Sequence, residues 1–413
     1  MATLLRLLAA SALLFAAAHG CTTNLDCWHN GVCDAATQQC ACHTAWTGPA
    51  CSTLKQGPST QLWPNPAHPL PPAPLVTDSW GVTVGRDAAD GNFYAYFCVA
   101  CVFSGGKPQP FSMHGSGIVA ARAPALEGPY EFVAQFEGVF SEGPHMARSA
   151  DGLTWVLITP SANASALAPV TCTGDYAAAA GGGAPPPPPL PPPALALPPL
   201  ASTVNKSSLF SAPSPRGPWR AHNFSVAQKD IQSYFSNPSL ALGASGEGLL
   251  AWRVNLAGAH RGESIGFATA PAWSGPLYTA VAEPLQPGLA GLEDPHIWSH
   301  QELNDAGQNF TVLSMLCHVQ TSTLEDVGGL FVSIDGGVSW LRSPTPAYGT
   351  RVPSMVGQGW SGGPVTFARR ERPELHFENG STQPTHLLTG VMLPNAGPDK
   401  NWQLSYSIAT RLG

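Results

Sequence analysis

The chain has 413 residues, enough to bury at least one sizeable core and to carry more than one module. Charged residues are only 11% of it, against a usual ~25%, and the net charge of −7 offers no basic face, which sets nucleic-acid recognition aside. Glycine (43) and proline (42) are both abundant; both break helices, so turns and strands are expected in their place.

Residues 1–20 read as a secretory signal. Arg6 supplies the charge, Leu7 to Ala18 the apolar region, and Ala18-His19-Gly20 the small residues that a signal peptidase checks. A membrane anchor is the alternative, but the run is short for the ~30 Å of a bilayer core. No later stretch is apolar enough to span, so no transmembrane segment is expected in the mature chain. The protein is therefore read as secreted and extracellular, where oxidising conditions pair most cysteines.

Six of the ten cysteines follow at 21–52, spaced Cys21-x5-Cys27-x5-Cys33-x6-Cys40-x-Cys42-x8-Cys51. So short a block cannot bury enough apolar surface to fold alone and needs cross-links. Six cysteines allow 15 pairings. The spacing and the close Cys42-x3-Trp46-x-Gly48-x2-Cys51 resemble an EGF-like domain, with Ala45 where that family usually has glycine. The resemblance implies Cys21–Cys33, Cys27–Cys40 and Cys42–Cys51. Calcium-binding members carry acidic residues before the first cysteine, and cleavage after Gly20 would leave none, so no calcium is expected. The module is read as a partner-binding unit or as a stable spacer. Residues 53–77, with Pro64, Pro66, Pro69, Pro71, Pro72 and Pro74, read as an extended linker.

From Asp78 to Gly413 one pattern recurs. Ser141-Glu142-Gly143-Pro144-His145, Ser236-Asn237-Pro238-Ser239, Leu292-Glu293-Asp294-Pro295-His296-Ile297-Trp298 and Glu371-Arg372-Pro373-Glu374 each place a polar residue, then proline, then an apolar run. A Gly-bearing turn and a second apolar run follow, which makes a hairpin. Asp78-Ser79-Trp80-Gly81-Val82 is a blurred fifth copy. Between copies lies a second mark, Ala123-Pro124-x3-Gly128-Pro129, matched at Ala212-Pro213 and Ala270-Pro271. Four strands per unit of roughly 60 residues is a propeller blade, and five openings give five blades. The predicted fold is thus all-β, a five-bladed β-propeller after a small disulfide-rich module. A sandwich is the alternative, but gives no reason for the repeat.

A low-complexity stretch at 176–200 cannot pack a core and reads as an insertion in a loop of the second blade. Five Asn-x-Ser/Thr sequons, at Asn163, Asn205, Asn223, Asn309 and Asn379, are candidate glycosylation sites. Cys98-x2-Cys101 has no partner pair at zinc spacing, so pairing with Cys172 or Cys317 is expected there instead.

In a propeller the inner strands converge on the axis. The openings would therefore crowd one rim with Asp78, Glu142, His145, Asn237, Glu293, Asp294, His296, Glu371 and Glu374, with Arg253, Arg369, Arg370, Arg372, His318 and His386 one strand away. Converging carboxylates are what glycoside cleavage needs, one acid kept protonated by its neighbours while another activates water or attacks. Trp80, Trp252, Trp298 and Trp360 are candidates to stack on sugar faces. The segments Ser236-Asn237-Pro238-Ser239, Gly262-Glu263-Ser264-Ile265-Gly266, Glu293 to Trp298, Tyr348-Gly349 and Arg369 to Pro373 make residues 78–413 similar to glycoside hydrolase family 43-like propellers. The resemblance implies Glu293 as the acid, Asp78 as the base and Asn237 in the place of an orienting aspartate, with Asp294 as a further catalytic candidate. Asn237, Arg253, His296, Trp298, Arg370, Glu371 and Arg372 are the expected substrate-binding set. No metal and no cofactor are called for. The expected partner is a glycan, with an extracellular protein on the EGF-like module as a second possibility. Three readings follow: a secreted glycosidase, a non-catalytic glycan-binding propeller, or an adhesion protein.

Overall fold

A computed structural model describes residues 20–63, 78–100, 103–104, 107–108, 116–137, 143–160, 207–227, 236–255, 263–281, 290–303, 307–320, 327–357, 359–378, 381–394 and 405–413. The signal (save Gly20), the second half of the predicted linker, the insertion at 176–200, Glu142, Cys101, Cys172 and the sequons at Asn163, Asn205 and Asn379 lie outside these residues.

The described chain is all-β, with one 3-10 turn at Asn24–Cys27. Five sheets form the blades, and their innermost strands are Asp78–Arg86, His145–Arg148, Ser236–Leu242, Leu292–Leu303 and Arg369–Phe377. Each innermost strand neighbours the next, and the fifth neighbours the first, so the ring closes. Apolar side chains pack between successive blades. Val84 and Ala95 meet Leu388 and Ala409 between blades five and one, Tyr96 and Phe136 meet Phe210 between one and two, and Leu250 and Trp252 meet Val156 between two and three. Phe267 stacks on Trp340 between three and four.

Three of the prolines do not open the strands, as the repeat suggested: Pro238, Pro295 and Pro373 sit inside β-bulges, while Pro144 directly precedes the strand His145–Arg148. Register shifts fall between Ser79 and Val82, Ser236 and Ser239, Glu293 and His296, and Glu371 and Glu374. A bulge leaves one residue unpaired, so a proline there removes no ladder hydrogen bond. The residue before the proline takes a left-handed φ in every blade: Gly143 55°, Asn237 49°, Asp294 52°, Arg372 55°, and in the first blade Gly81 94°, where Val82 replaces proline. Gly81, three residues beyond Asp78, is thus the first blade's equivalent position. Left-handed backbone suits glycine and asparagine or aspartate; for arginine it is an outlier.

The expected linker 53–77 instead carries a strand, Gln56–Trp63, within the fifth sheet. It runs antiparallel to Ser405–Leu412 and parallel to Arg351–Gly357. The last blade thus takes its fourth strand from before the first blade. Alternation buries Leu62 in the seam with blade one, and Trp63 stacks on Phe97 at 5.3 Å.

The three disulfides Cys21–Cys33, Cys27–Cys40 and Cys42–Cys51 close the N-terminal module. It is neither isolated nor a spacer. Its Trp28, Trp46 and Leu54 share one apolar cluster with Leu316, Leu330, Tyr348, Leu375 and Leu387 of blades four and five. Leu54 donates its N–H to the Ala347 carbonyl at 2.8 Å, and His29 pairs with Glu302 at 2.9 Å. Glu302 stands eight residues past Asp294 on one strand, about 25 Å at the usual rise, so the module packs far from the bulges.

Cys317 is a free thiol buried on blade four beside the Gly329 carbonyl, not a disulfide partner. Cys98 is buried on the first blade. Asn223 and Asn309 are exposed.

Candidate active site at the propeller axis

The four bulges, and Gly143 just before the second blade's strand, turn these left-handed residues toward the axis. Gly81, Gly143, Asn237, Asp294 and Arg372 line one small cavity with the residues that follow them and Glu374. The cavity is about 20 Å³, which holds one water. Two layers of polar groups surround it.

In the layer at the bulges, Glu293, Asp294, Glu371 and His318 bring polar atoms within 4.8 Å of one another. His318 donates from Nδ1 to Glu293 Oε1 at 2.9 Å, and Arg253 Nη1 meets Glu293 Oε2 at 2.9 Å. Arg253 also pairs with Glu263, and Arg369 with Glu371. Asp294 accepts from the Asn237 amide at Oδ1 and from the Arg372 backbone N–H at Oδ2, 3.2 Å away. Burial alone would raise the Glu293 carboxyl, but the His318 hydrogen bond and the charges of His318 and Arg253 hold it down, to about 2. Asp294 goes the other way. Burial, then the adjacent Glu293 charge, push it up to about 7, against the pull of Arg372. His318 is raised, since Glu371 and Glu293 outweigh its burial.

Two residues further along the strands, Glu374 lies between two histidines. His145 Nδ1 meets Glu374 Oε1 at 2.9 Å and its Nε2 donates to the Leu240 carbonyl at 3.0 Å. Both nitrogens face acceptors, so despite burial this ring is raised toward the imidazolium. His296 donates from Nδ1 to Glu374 Oε2 at 2.9 Å, and its Nε2 accepts from the Leu375 N–H at 3.4 Å. Burial, with His145 nearby, keeps this ring neutral. His145, His296 and Glu374 also form a set that could hold a metal, as do Glu293, Asp294, His318 and Glu371. The His296 tautomer works against the first set: with Nε2 accepting, Nδ1 carries the proton and has no lone pair for an ion.

Of the expected site residues, Glu293, Asp294, Asn237, Arg253, His296, Glu371 and Arg372 are brought together here. Glu293, held ionised, is unsuited to the acid role that the resemblance implies; Asp294 is the carboxyl that retains a proton. The Asp78 backbone pairs with Ala100 at the start of its strand, three residues from the bulge. Arg370 is not at the axis. On the strand its side chain alternates away from Arg369 and Glu371, and it is fully buried inside blade five. There it donates to Gln56 Oε1 (2.6 Å), the Gly349 carbonyl (3.1 Å), Thr389 Oγ1 (3.2 Å) and Thr410 Oγ1 (2.9 Å), with Tyr348 beneath its guanidinium. Trp298 lies deeper, against the N-terminal module's cluster. Trp252 is core between blades two and three, Trp80 is buried beneath Arg369, and Trp360 bonds Gln61 on the outer hairpin of blade five. None of the four tryptophans faces the cavity. His386 turns to Glu127, at 3.1 Å. Sequence reasoning missed Gly81, Gly143 and Ser239. Gly143 was visible as the residue before Pro144, Gly81 had no proline to mark it, and Ser239, which accepts the Ile297 N–H at 2.9 Å, follows Asn237-Pro238 directly.

No family model and no curated protein matches the chain. Solved structures do resemble it. A protein of unknown function from Dyadobacter fermentans is 10% identical with a TM-score of 0.50, covering 87% of this chain and 99% of that one. A family 117 glycoside hydrolase from the marine bacterium Zobellia galactanivorans is 12% identical, with a TM-score of 0.47, covering 87% and 92%. The α-L-arabinofuranosidase PaAbf62A from Podospora anserina, in complex with cellotriose, is 10% identical, with a TM-score of 0.46, covering 86% and 97%. At such identities a likeness speaks to the fold alone. The architecture is that of a five-bladed propeller with a disulfide-rich N-terminal stretch.

Proposed function

We propose that this is a secreted carbohydrate-active protein whose axial site works on glycans in the manner of a glycoside hydrolase. The observation that carries the reading is the adjacent pair Glu293 and Asp294. One carboxyl is held ionised by His318 and Arg253, and the other retains its proton near neutral pH through burial and its neighbour's charge. Two carboxyl groups whose surroundings drive them apart are an acid and an anion in one site, the requirement for cleaving a glycosidic bond. Asp294 is then the proton donor, and Glu293 the group that meets positive charge developing on the sugar. Arg253, Arg372 and Asn237 hold the pair in register. The N-terminal module is read as EGF-like on its cysteine spacing, the first 20 residues as its export signal, and Asn223 and Asn309 as glycan acceptors.

A second reading, glycan binding without turnover, is favoured by one observation. Glu293, Glu371 and Glu374 are each paired with cationic or histidine partners, and the axial cavity that Asp294 and Glu374 line holds about one water. The test is a glycan array followed by a hydrolysis screen on the hits. Turnover by the wild type that falls 10²-fold or more in Asp294→Asn, assayed where the variant is fully folded, supports the hydrolase. Binding without turnover selects the second reading. Turnover left intact by both Asp294→Asn and Glu293→Gln overturns the assignment of the pair.

A further inference from the structure

Arg372 is the outlier among the five left-handed residues at the axis. It alone is a long cationic side chain in a left-handed backbone, at φ 55°, a conformation that costs on the order of 1–3 kcal/mol and persists only where surroundings impose it. Its side chain lies across two neighbouring blades. A β-carbon built on Gly81 of blade one would stand 2.9 Å from Arg372 Cδ. One built on Gly143 of blade two would stand 2.7 Å from Arg372 Nη1 and 3.3 Å from Asn237 Oδ1. Glycine at these two positions is what lets the arginine span the axis. Asn237 Oδ1, on the third blade, is buried without a hydrogen-bond donor among the described residues and borders the same cavity.

The charges at this level are stacked by depth. Glu293 and Glu371 have side-chain exposures of 7% and 6%, whereas Arg253, which spans Glu293 and Glu263, is 21% exposed and Arg369, which covers Glu371, is 34% exposed. At this level the arginines reach solvent more than the carboxylates they pair with. Arg253 and Arg369 offset buried carboxylates, and Arg372 brings a third guanidinium to the same axis from the fifth blade. A guanidinium is built for planar anions, which it holds through paired N–H donors.

We propose that the glycan recognised at this site is an acidic one, whose anionic substituent, a uronate carboxylate or a sulfate ester, is held by Arg372 together with Arg369 and Arg253. The inference rests on the glycan reading above and names the class of saccharide. It assigns Arg372 the role of selecting charge, with Gly81 and Gly143 providing the clearance that sets its guanidinium over the axis. The anion sits above the carboxylate layer, and the Asn237 amide oxygen is left to accept from a sugar hydroxyl or a bridging water.

The test uses the full-length protein and isothermal titration calorimetry. The probes are galacturonate oligosaccharides, the same oligosaccharides as methyl esters, sulfated galactan oligosaccharides and their desulfated forms. The expected result is that one acidic form binds at least tenfold tighter than its neutralised counterpart, and that the difference shrinks as salt rises. Which acidic form wins identifies the anion. Arg372→Met should weaken the acidic form at least tenfold more than it weakens the neutralised form, so that the preference is lost. Because Arg372 occupies a strained backbone, Arg369→Met is run beside it, and both are checked by melting temperature; Arg369→Met should cut the preference by at least threefold. If charged and neutralised forms bind alike, or both arginine variants weaken the two forms equally, the acidic preference is wrong and the glycan reading survives. If no saccharide binds, both fall together.

Discussion

The Asp294 carboxyl makes a sharp prediction about stability. Its proton affinity is raised in the folded protein, from an ordinary 3.8 to about 7. Between those values the folded state binds the proton and the unfolded chain does not. Stability from this group is therefore greatest at low pH and is lost as pH climbs from about 4 to 7. At 1.36 kcal/mol per unit, the change between pH 5 and pH 8 is about 3 kcal/mol. Glu293 has the opposite sign, since its folded value lies near 2; its contribution is fully present above about pH 4.5 and constant across this window. Asp294→Asn removes the titration. The asparagine can still accept from Asn237, but it must turn its other end, an N–H₂, toward the Arg372 N–H, which costs about 1–3 kcal/mol at every pH. Urea unfolding of wild type and Asp294→Asn at pH 5 and pH 8 reads the difference. The variant should be the less stable of the two at pH 5 and should close most of the gap by pH 8. A gap that is the same at both pH values, or that widens with pH, would refute the account of how Asp294 keeps its proton.

Other expectations follow from the same geometry. Glu293→Gln leaves Arg253 and His318 facing a neutral amide and should lose about 3–5 kcal/mol, measured by urea midpoint at pH 7. Gly81→Ala places a β-carbon against Arg372 at a left-handed φ and should lose about 2 kcal/mol or more; in an Arg372→Ala background the same change should cost visibly less, which a double-mutant cycle reads. Leu62→Ala opens a cavity where the N-terminal strand meets blade one and should cost about 2–5 kcal/mol, with a single unfolding transition for the whole chain. Cys317, buried and with its thiol pushed well above the ordinary range, should resist a thiol reagent in the native protein and react on unfolding.

Much of this architecture was readable because a bulge leaves a chemical trace. Proline suits a position outside the ladder, and the residue before it takes a left-handed backbone at the axis, so Gly143-Pro144, Asn237-Pro238, Asp294-Pro295 and Arg372-Pro373 announced equivalent places in four blades. The first blade was misread by three residues because Val82 stands where the proline would be, leaving Asp78 as the conspicuous polar residue. Arg370 misled for a different reason. Strand alternation sends it to the opposite face from Arg369 and Glu371, but a run of Arg369-Arg370-Glu371-Arg372 conceals which members face the axis. The strand at Gln56–Trp63 was hidden by the prolines that follow it, and its partners, some 290 to 350 residues away, give no local signal. The tryptophans looked like sugar platforms because aromatic side chains serve that purpose and core packing equally well.

The last residues of the chain, Ser405–Leu412, lie directly against Gln56–Trp63, and the Gly413 N–H reaches the Lys55 carbonyl at 3.0 Å. The Gln56–Trp63 strand therefore waits, with one edge open, until Ser405–Leu412 has been synthesised. A deletion of Ser405–Leu412 would strip a neighbour from Gln56–Trp63, some 350 residues earlier in the chain, and leave that strand's edge exposed.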